Sequence, residues 1–456
     1  VARARGVSEN AFTPSLQLAP TDRSTGSQLH IRLAKLGIPF AWKVAGIVSQ
    51  LGSLFILIEA LGASAFGQYS TALSIGILLA LAADCGFFRY NFRLINRRVP
   101  LPIVMTRMLS IRLTLSPIVL GVGFLAGRQL ELPFFTIILA LVATTLTQLS
   151  SIYRYVLIAR GAVAKSVLAD VSAPLVNFGL LAAVAAYESH NRGFSLSIGE
   201  ALALYGLACG LTFVGWGSRL GCLPAWSQAV RSLLSGISKQ AFAAQSRTIR
   251  RSIPVGLEQF TTSFWYNLPV ILASVISPES RPVAALFQRL MNLIIAVLSV
   301  IVAADLRHFY SKNLKLRQEL RTSLIQGAAS FCIVFSAMYL CSWFLSYTTL
   351  SWVIKSQLAR ILPQLMQYKA IISLSFGFLL IYVRISFVAL GVDQRVIRVI
   401  ASVIGIAIIV VAAFLSKISG IWHVDFTESV IEGMFLGNLV GSCIMIARLR
   451  TKLKWF

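Results

Sequence analysis

Hydrophobic positions in this chain come in long runs. From Gly37 to Ala447, about a dozen apolar segments of roughly twenty residues alternate with short polar connections. A helix needs about 20 apolar residues to cross a hydrocarbon core roughly 30 Å thick. The runs therefore predict spans at 37–61, 67–88, 107–126, 133–157, 166–187, 199–217, 252–276, 283–305, 322–345, 366–390, 396–415 and 428–447. The fold class this implies is an all-α membrane protein of about 12 transmembrane helices.

Charge gives the runs a direction. The chain has 456 residues, with 41 Lys and Arg against 16 Asp and Glu, a net charge of +25. Such an excess raises nucleic acid as a partner, but the charges sit in short loops between spans, where they read as topology signals facing anionic lipid. Nucleic acid is therefore not expected. Connections on one side hold about thirty basic residues, including Arg3, Arg5, Arg32, Lys35, Arg89, Arg93, Arg97, Arg98, Arg160 and Lys165. The same side carries Arg247, Arg250, Arg251, Arg307, Lys312, Lys315, Arg317, Arg321, Arg448, Arg450, Lys452 and Lys454. The other side holds about six: Arg128, Arg192, Arg281, Lys355, Arg360 and Lys417. Loops rich in Lys and Arg stay cytoplasmic, so both termini are expected inside, with an even number of spans.

The longest inside connection divides the chain into six spans plus six. The expected domains are a disordered cytoplasmic tail (1–36), an N-terminal six-helix lobe (37–217), a cytoplasmic linker (218–251), a C-terminal six-helix lobe (252–447) and a basic cytoplasmic tail (448–456). The polar residues at the start lack the apolar core of a signal peptide. The six-plus-six layout fits two lobes related by an axis along the membrane normal, as in transporters with parallel repeats.

A charge near mid-bilayer costs at least about 2.5–3.5 kcal/mol, so ionisable groups within the runs stand out. They are Lys43, Asp84, Arg112, Asp170, Glu258, Arg289, Lys369, Arg384 and Glu432. Lys43, Gly46, Gln50 and Ser53 fall on one helix face, as do Arg289, Asn292, Ala296 and Ser299. Thr144, Gln148, Ser151 and Tyr155 form a third polar stripe; Glu258, Thr262 and Trp265 form a fourth. Four such stripes fit a shared hydrophilic lumen. Lys43 and Arg289 also lie close enough to span ends to snorkel. Asp84 and Asp170 could simply pair with inner-face arginines, and Gln148 and Asn292 could serve plain helix–helix hydrogen bonds. Pro117, Pro174 and Pro269 are candidate kinks.

Several chemistries are missing. The six cysteines form no CxxC and read as small packing residues; the four histidines have no metal-ligand spacing. Walker, HExxH, GxSxG and dinucleotide-binding patterns are absent. No cofactor and no metal is expected. The outer loops are too short for a catalytic domain, so the chain is not expected to be an enzyme.

Residues 60–87 read ALGASAFGQYSTALSIGILLALAADCGF. Leu61-Gly62 followed by Phe66-Gly67-Gln68-Tyr69, with Asp84 and Gly86 closing the run and Arg160-Gly161 after span 4, resembles polysaccharide flippases of the Wzx type, in the multidrug/oligosaccharidyl-lipid/polysaccharide exporter superfamily. The resemblance implies a V-shaped bundle of two lobes around a cationic cavity, rocking by alternating access. It implies a multi-pass protein of the bacterial inner membrane that moves undecaprenyl-diphosphate-linked oligosaccharide to the outer leaflet.

The implied partners are the lipid-linked substrate, membrane lipids, a polysaccharide polymerase with its export machinery, and an H⁺ or Na⁺ gradient. Lys43 and Arg289, then Arg112 and Arg384, are the expected diphosphate ligands. Gln50, Gln148 and Asn292 are expected in the lumen, with Glu258, Asp84 or Asp170 as ion carrier. A multidrug/cation antiporter of the same superfamily would favour deep acidic groups instead. A membrane glycosyltransferase or polymerase would need its catalytic residues among Lys355, Arg360, His423, Asp425 and Glu428.

Overall fold

A computed structural model describes residues 25–87, 95, 99–160, 162–191, 195–234, 239–293, 316–347, 358–391, 395–418 and 426–450. Arg89, Arg93, Arg97, Arg98, Arg307, Lys355, His423 and Asp425 lie outside the described residues. The described chain is helical throughout, with no strand. In order the helices are α1 (Thr25–Asp84), α2 (Leu101–Gln129), α3 (Phe134–Ala159), α4 (Val163–Asn191), α5 (Ile198–Arg219) and α6 (Leu223–Leu234). There follow α7 (Lys239–Ile276), α8 (described over 281–293), α9 (Leu316–Tyr347), α10 (Leu358–Met366), α11 (Lys369–Gly391), α12 (Arg395–Ile418) and α13 (Phe426–Arg450). Eight of the described helices are long and apolar enough to cross a membrane.

The first of these holds two of the expected crossings. As a straight rod, 60 residues would reach about 90 Å, three times the hydrocarbon thickness. The break is at Gly62, whose φ of 75° and ψ of 164° are open to glycine almost alone. The two limbs then lie side by side: Leu54 and Leu57 of the first face the same space as Phe66, Tyr69 and Leu73 of the second. The break also frees the carbonyl of Ala60, which accepts the N–H of Leu196 at 3.1 Å. That ties the turn to the start of α5, where Ser197 and Glu200 form a reciprocal cap.

Small residues let the helices close up. Gly46 and Gly52 of the first limb lie against Val171 and Phe178 of α4, and Gly76 of the second limb against Ala140 of α3. In the second half, Trp265 of α7 fills a slot between Gly405 of α12 and Gly437 of α13, stacked on Tyr382 of α11 at 5.4 Å. Large apolar side chains meanwhile point outward: Ile118 is 65% exposed, Leu125 65% and Ile333 68%. In water such a surface would aggregate; against lipid tails it is the expected exterior.

The two halves meet along the second limb of α1. Thr71 bonds Ser274 at 2.7 Å. Gln288 of α8 donates its amide to Ser74 at 3.0 Å and to Asn267 of α7 at 2.5 Å. Near the basic-loop end, Gly86 (φ 72°) passes so close to Gly256 that a Cβ on either would collide with backbone. Sequence reading placed these positions inside apolar runs; it used Gly86 only as part of a motif and gave the others no role.

Candidate substrate cavity

Inside the first half lies a cavity of about 190 Å³. Its walls come from five segments. Gln50, Ser53 and Leu57 recur at helical spacing on the first limb of α1; Phe66, Tyr69 and Leu73 do so on the second. Pro174 and Asn177 come from α4 and Tyr205 from α5, while Arg289, Asn292 and Leu293 reach across from α8 of the other half. The Gln288 bonds to Ser74 and Asn267 anchor α8 one residue before Arg289.

Arg289 is partly buried, and no carboxylate pairs with it among the described residues. Its polar neighbours in the wall are neutral: Gln50, Tyr69, Asn177, Tyr205 and Asn292. Asn177 donates weakly to Ser53 at 3.4 Å, and its buried Oδ1 has no hydrogen-bond partner. An unsatisfied buried acceptor beside an uncompensated cation is an arrangement that folding alone disfavours. It suits a ligand that brings both an anion and a donor.

Lys43, Asp84, Arg112, Asp170 and Glu258 lie elsewhere, toward the basic-loop end. Lys43 Nζ is 2.9 Å from Asp170 Oδ2, and Arg154 Nη1 is 3.1 Å from Asp170 Oδ1. Arg112 Nη2 donates to Asp84 Oδ1 and Gln148 Oε1, both at 2.9 Å. Asp84 is 1% exposed and Arg112 7%. Glu258 pairs with Arg398, whose Nε donates to Ser386. Arg384 falls within α11, and its side chain lies outside the described residues. Thus Gln50, Arg289 and Asn292 meet in one cavity, while Lys43, Arg112, Gln148, Asp84, Asp170 and Glu258 are engaged outside it.

At the opposite end of the bundle, Arg281 caps the approach to α8. Its stem packs on Gly67, and Nη2 reaches the Ser274 carbonyl at 3.4 Å. Burial pulls this guanidinium below its ordinary pKa, and Glu131 opposes the shift.

Sequence reasoning missed Asn177, Tyr205, Arg154 and Arg398 as participants. Asn177 was findable: Asp170, Pro174 and Asn177 recur at spacings of four and three, one face of α4. Arg398 resembled a loop charge, sitting beside Arg395 at a span end. Tyr205 stands in an apolar helix with no polar neighbour in register.

No protein-family profile and no curated protein matches the sequence. Solved structures do. An inward-facing multidrug resistance MATE family transporter of the MOP superfamily aligns with TM-score 0.60 and 14% identity, covering 89% of this chain and 94% of that one. A MATE protein in complex with MaD3S aligns with TM-score 0.56 and 14% identity, over 92% and 95%. An outward-facing MATE family transporter gives TM-score 0.52 and 14% identity, over 92% and 94%. At such identities the likeness is one of architecture: the chain has the all-helical fold of the MATE transporters, a fold of about 12 membrane-crossing helices.

Proposed function

We propose that the chain is a flippase of the bacterial inner membrane. It moves an undecaprenyl-diphosphate-linked oligosaccharide from one leaflet to the other by alternating access of its two halves. The observation that carries this reading is Arg289, without a carboxylate partner among the described residues, in a cavity whose other described polar lining is neutral. A diphosphate must leave the headgroup region, and one close ion pair at an effective dielectric of 20 is worth about 4 kcal/mol before desolvation. Arg289 supplies that pair. Asn177, Asn292, Gln50, Tyr69 and Tyr205 supply neutral hydrogen bonds around it.

The cavity volume of about 190 Å³ is below the roughly 300–1,000 Å³ of small-molecule pockets. It suits a phosphate head and not a saccharide. The halves therefore part along the α1–α7–α8 seam to pass the sugar, while the lipid tail stays in the bilayer. Lys43 and Arg112 join the anion path only when their carboxylates let go. In the same reading Asp84, Asp170 or Glu258 carries the coupling H⁺ or Na⁺ by exchanging it for the bound cation. Membrane lipids surround the bundle, and a polymerase with export machinery takes up the product.

A multidrug antiporter fits the same fold. An organic cation, however, would meet Arg289 in this cavity, and Asp84, Asp170 and Glu258 are held in ion pairs. The deciding experiment reconstitutes the full chain in proteoliposomes and follows transbilayer movement of a fluorescent polyprenyl-diphosphate saccharide. Movement lost in Arg289→Ala and kept in Arg289→Lys supports the flippase. Proton-coupled uptake of a cationic dye that persists in Arg289→Ala, without lipid movement in the parent, establishes the antiporter instead.

A further inference from the structure

A second cavity, about 460 Å³, opens between three connections in the second half of the molecule. It lies at the end of the bundle opposite the Asp84 and Asp170 ion pairs. One wall is the short 3₁₀ turn Pro278–Ser280 between α7 and α8, with Ser277, Glu279 and Ser280. A second is the end of α10 and the bend into α11, with Gln364, Gln367 and Tyr368. The third is the start of α13, Phe426 and Thr427.

Local structure fixes how these groups are presented. In α10, Ile361 and Leu365 are one turn apart and buried, which anchors the helix. Gln364 in α10 and Gln367 in the turn after it are exposed and line the cavity. The turn is held by the N–H of Gln367 to the Pro363 carbonyl at 3.2 Å and that of Tyr368 to Leu365 at 3.2 Å. Across the cavity the hydroxyls of Ser277 and Ser280 bond each other at 2.9 Å, leaving each with further lone pairs.

The chemistry differs in kind from that at Arg289. Among its described lining residues this cavity has no Lys or Arg. Amides that both donate and accept, hydroxyls, one carboxylate and two aromatic rings converge on a volume within the roughly 300–1,000 Å³ of small-molecule sites. Amides and hydroxyls match vicinal hydroxyl groups, and a carboxylate accepts from two adjacent ones. A phosphate or uronate would face Glu279 with no Lys or Arg among the described lining residues to balance it. We propose that this cavity is a binding site for a neutral saccharide, separate from the anion site at Arg289. The proposal goes beyond the carrier reading and stands without it.

The test uses the full chain in lipid nanodiscs against a panel of neutral and uronic-acid oligosaccharides, read by saturation-transfer NMR and calorimetry. Undecaprenyl diphosphate without sugar serves as the separate probe of Arg289. The expected result is saturable binding of at least one neutral saccharide, at least tenfold tighter than its uronate counterpart. The double variant Gln364→Ala, Gln367→Ala loses that binding at least tenfold and keeps the lipid-diphosphate binding, while Arg289→Ala does the reverse. Thr427→Val, a change of similar size, gives a smaller loss of saccharide binding alone. If no neutral saccharide binds the parent, or if the double variant binds as the parent does, the saccharide site is overturned. If the saccharide binds and the lipid diphosphate does not, the saccharide site stands and the flippase reading falls.

Discussion

The region around Arg112 and the region around Arg289 hold the same kind of side chain in opposite electrostatic states. Arg112 is 7% exposed and faces Asp84, which is 1% exposed, with Gln148 as a second acceptor. Arg289 faces neutral amides and phenols across an open cavity. In the first region the charge is cancelled within the protein in this state, so the pair stabilises the bundle as it stands. In the second the charge is left for something else to cancel. The same sequence signal, an arginine inside an apolar run, thus marks a paired charge in one place and an open one in the other.

Removing each arginine separates the two roles. Arg112→Ala leaves Asp84 buried without its guanidinium, and breaking a buried pair in this way costs about 3–5 kcal/mol. The expected outcome is a large fall in thermal stability in detergent, with part of it restored by adding Asp84→Asn. Arg289→Ala removes a cation with no carboxylate partner among the described residues, so stability stays the same or rises. Lipid-diphosphate binding weakens at least tenfold, a loss of about 1.4 kcal/mol or more. Scanning fluorimetry and calorimetry on the two variants decide the matter. If Arg289→Ala melts lower than Arg112→Ala, the contrast drawn between the regions collapses.

A smaller effect tests the cavity's neutral side. Asn177→Leu fills the space of the amide and removes its unpartnered Oδ1 along with the weak bond to Ser53. One hydrogen bond to a ligand is worth about 0.5–1.5 kcal/mol, so lipid-diphosphate affinity is expected to fall a few-fold, with the melting temperature unchanged or higher. A drop in stability with unchanged affinity would make Asn177 a packing residue.

The crossings were legible because each depends only on a local run of apolar residues. The expected 133–157 and 199–217 appear as Phe134–Ala159 and Ile198–Arg219. The break between the first two was also readable, since Leu61-Gly62 stands between two runs each long enough to span. The pairing of charges was not, because it is set by helix rotation and neighbour choice. Lys43 finds its carboxylate 127 positions away, and the helix faces that bring Asp170 beside it follow from contacts such as Gly46 on Val171. The Ser74–Gln288–Asn267 relay was invisible for the same reason: each residue is an ordinary polar group in an apolar run until the other two arrive. Arg289 was singled out for its charge, but its isolation depends on where every acidic side chain lies.

Lys43 gives the smallest expected effect and the sharpest check on that argument, because by sequence it ranks equal to Arg289. Asp170 is held by two cations, Lys43 at 2.9 Å and Arg154 at 3.1 Å, and its side chain is 28% exposed. Replacing Lys43 with Met keeps the aliphatic stem and leaves Arg154 to balance the carboxylate. A partly exposed, doubly served pair is worth about 1 kcal/mol or less, well below the cost expected at Asp84. Lys43→Met should therefore lower the melting temperature by a degree or two and leave lipid-diphosphate affinity within about twofold of the parent, or about 0.4 kcal/mol. Removing both cations of the pair, Lys43→Met with Arg154→Met, exposes Asp170 uncompensated and should destabilise by more than the two single changes together. Should Lys43→Met instead abolish lipid-diphosphate binding as fully as Arg289→Ala, the ammonium must leave Asp170 for the ligand. The boundary between the ion-paired end and the open cavity would then belong to one state of the bundle and not to the fold.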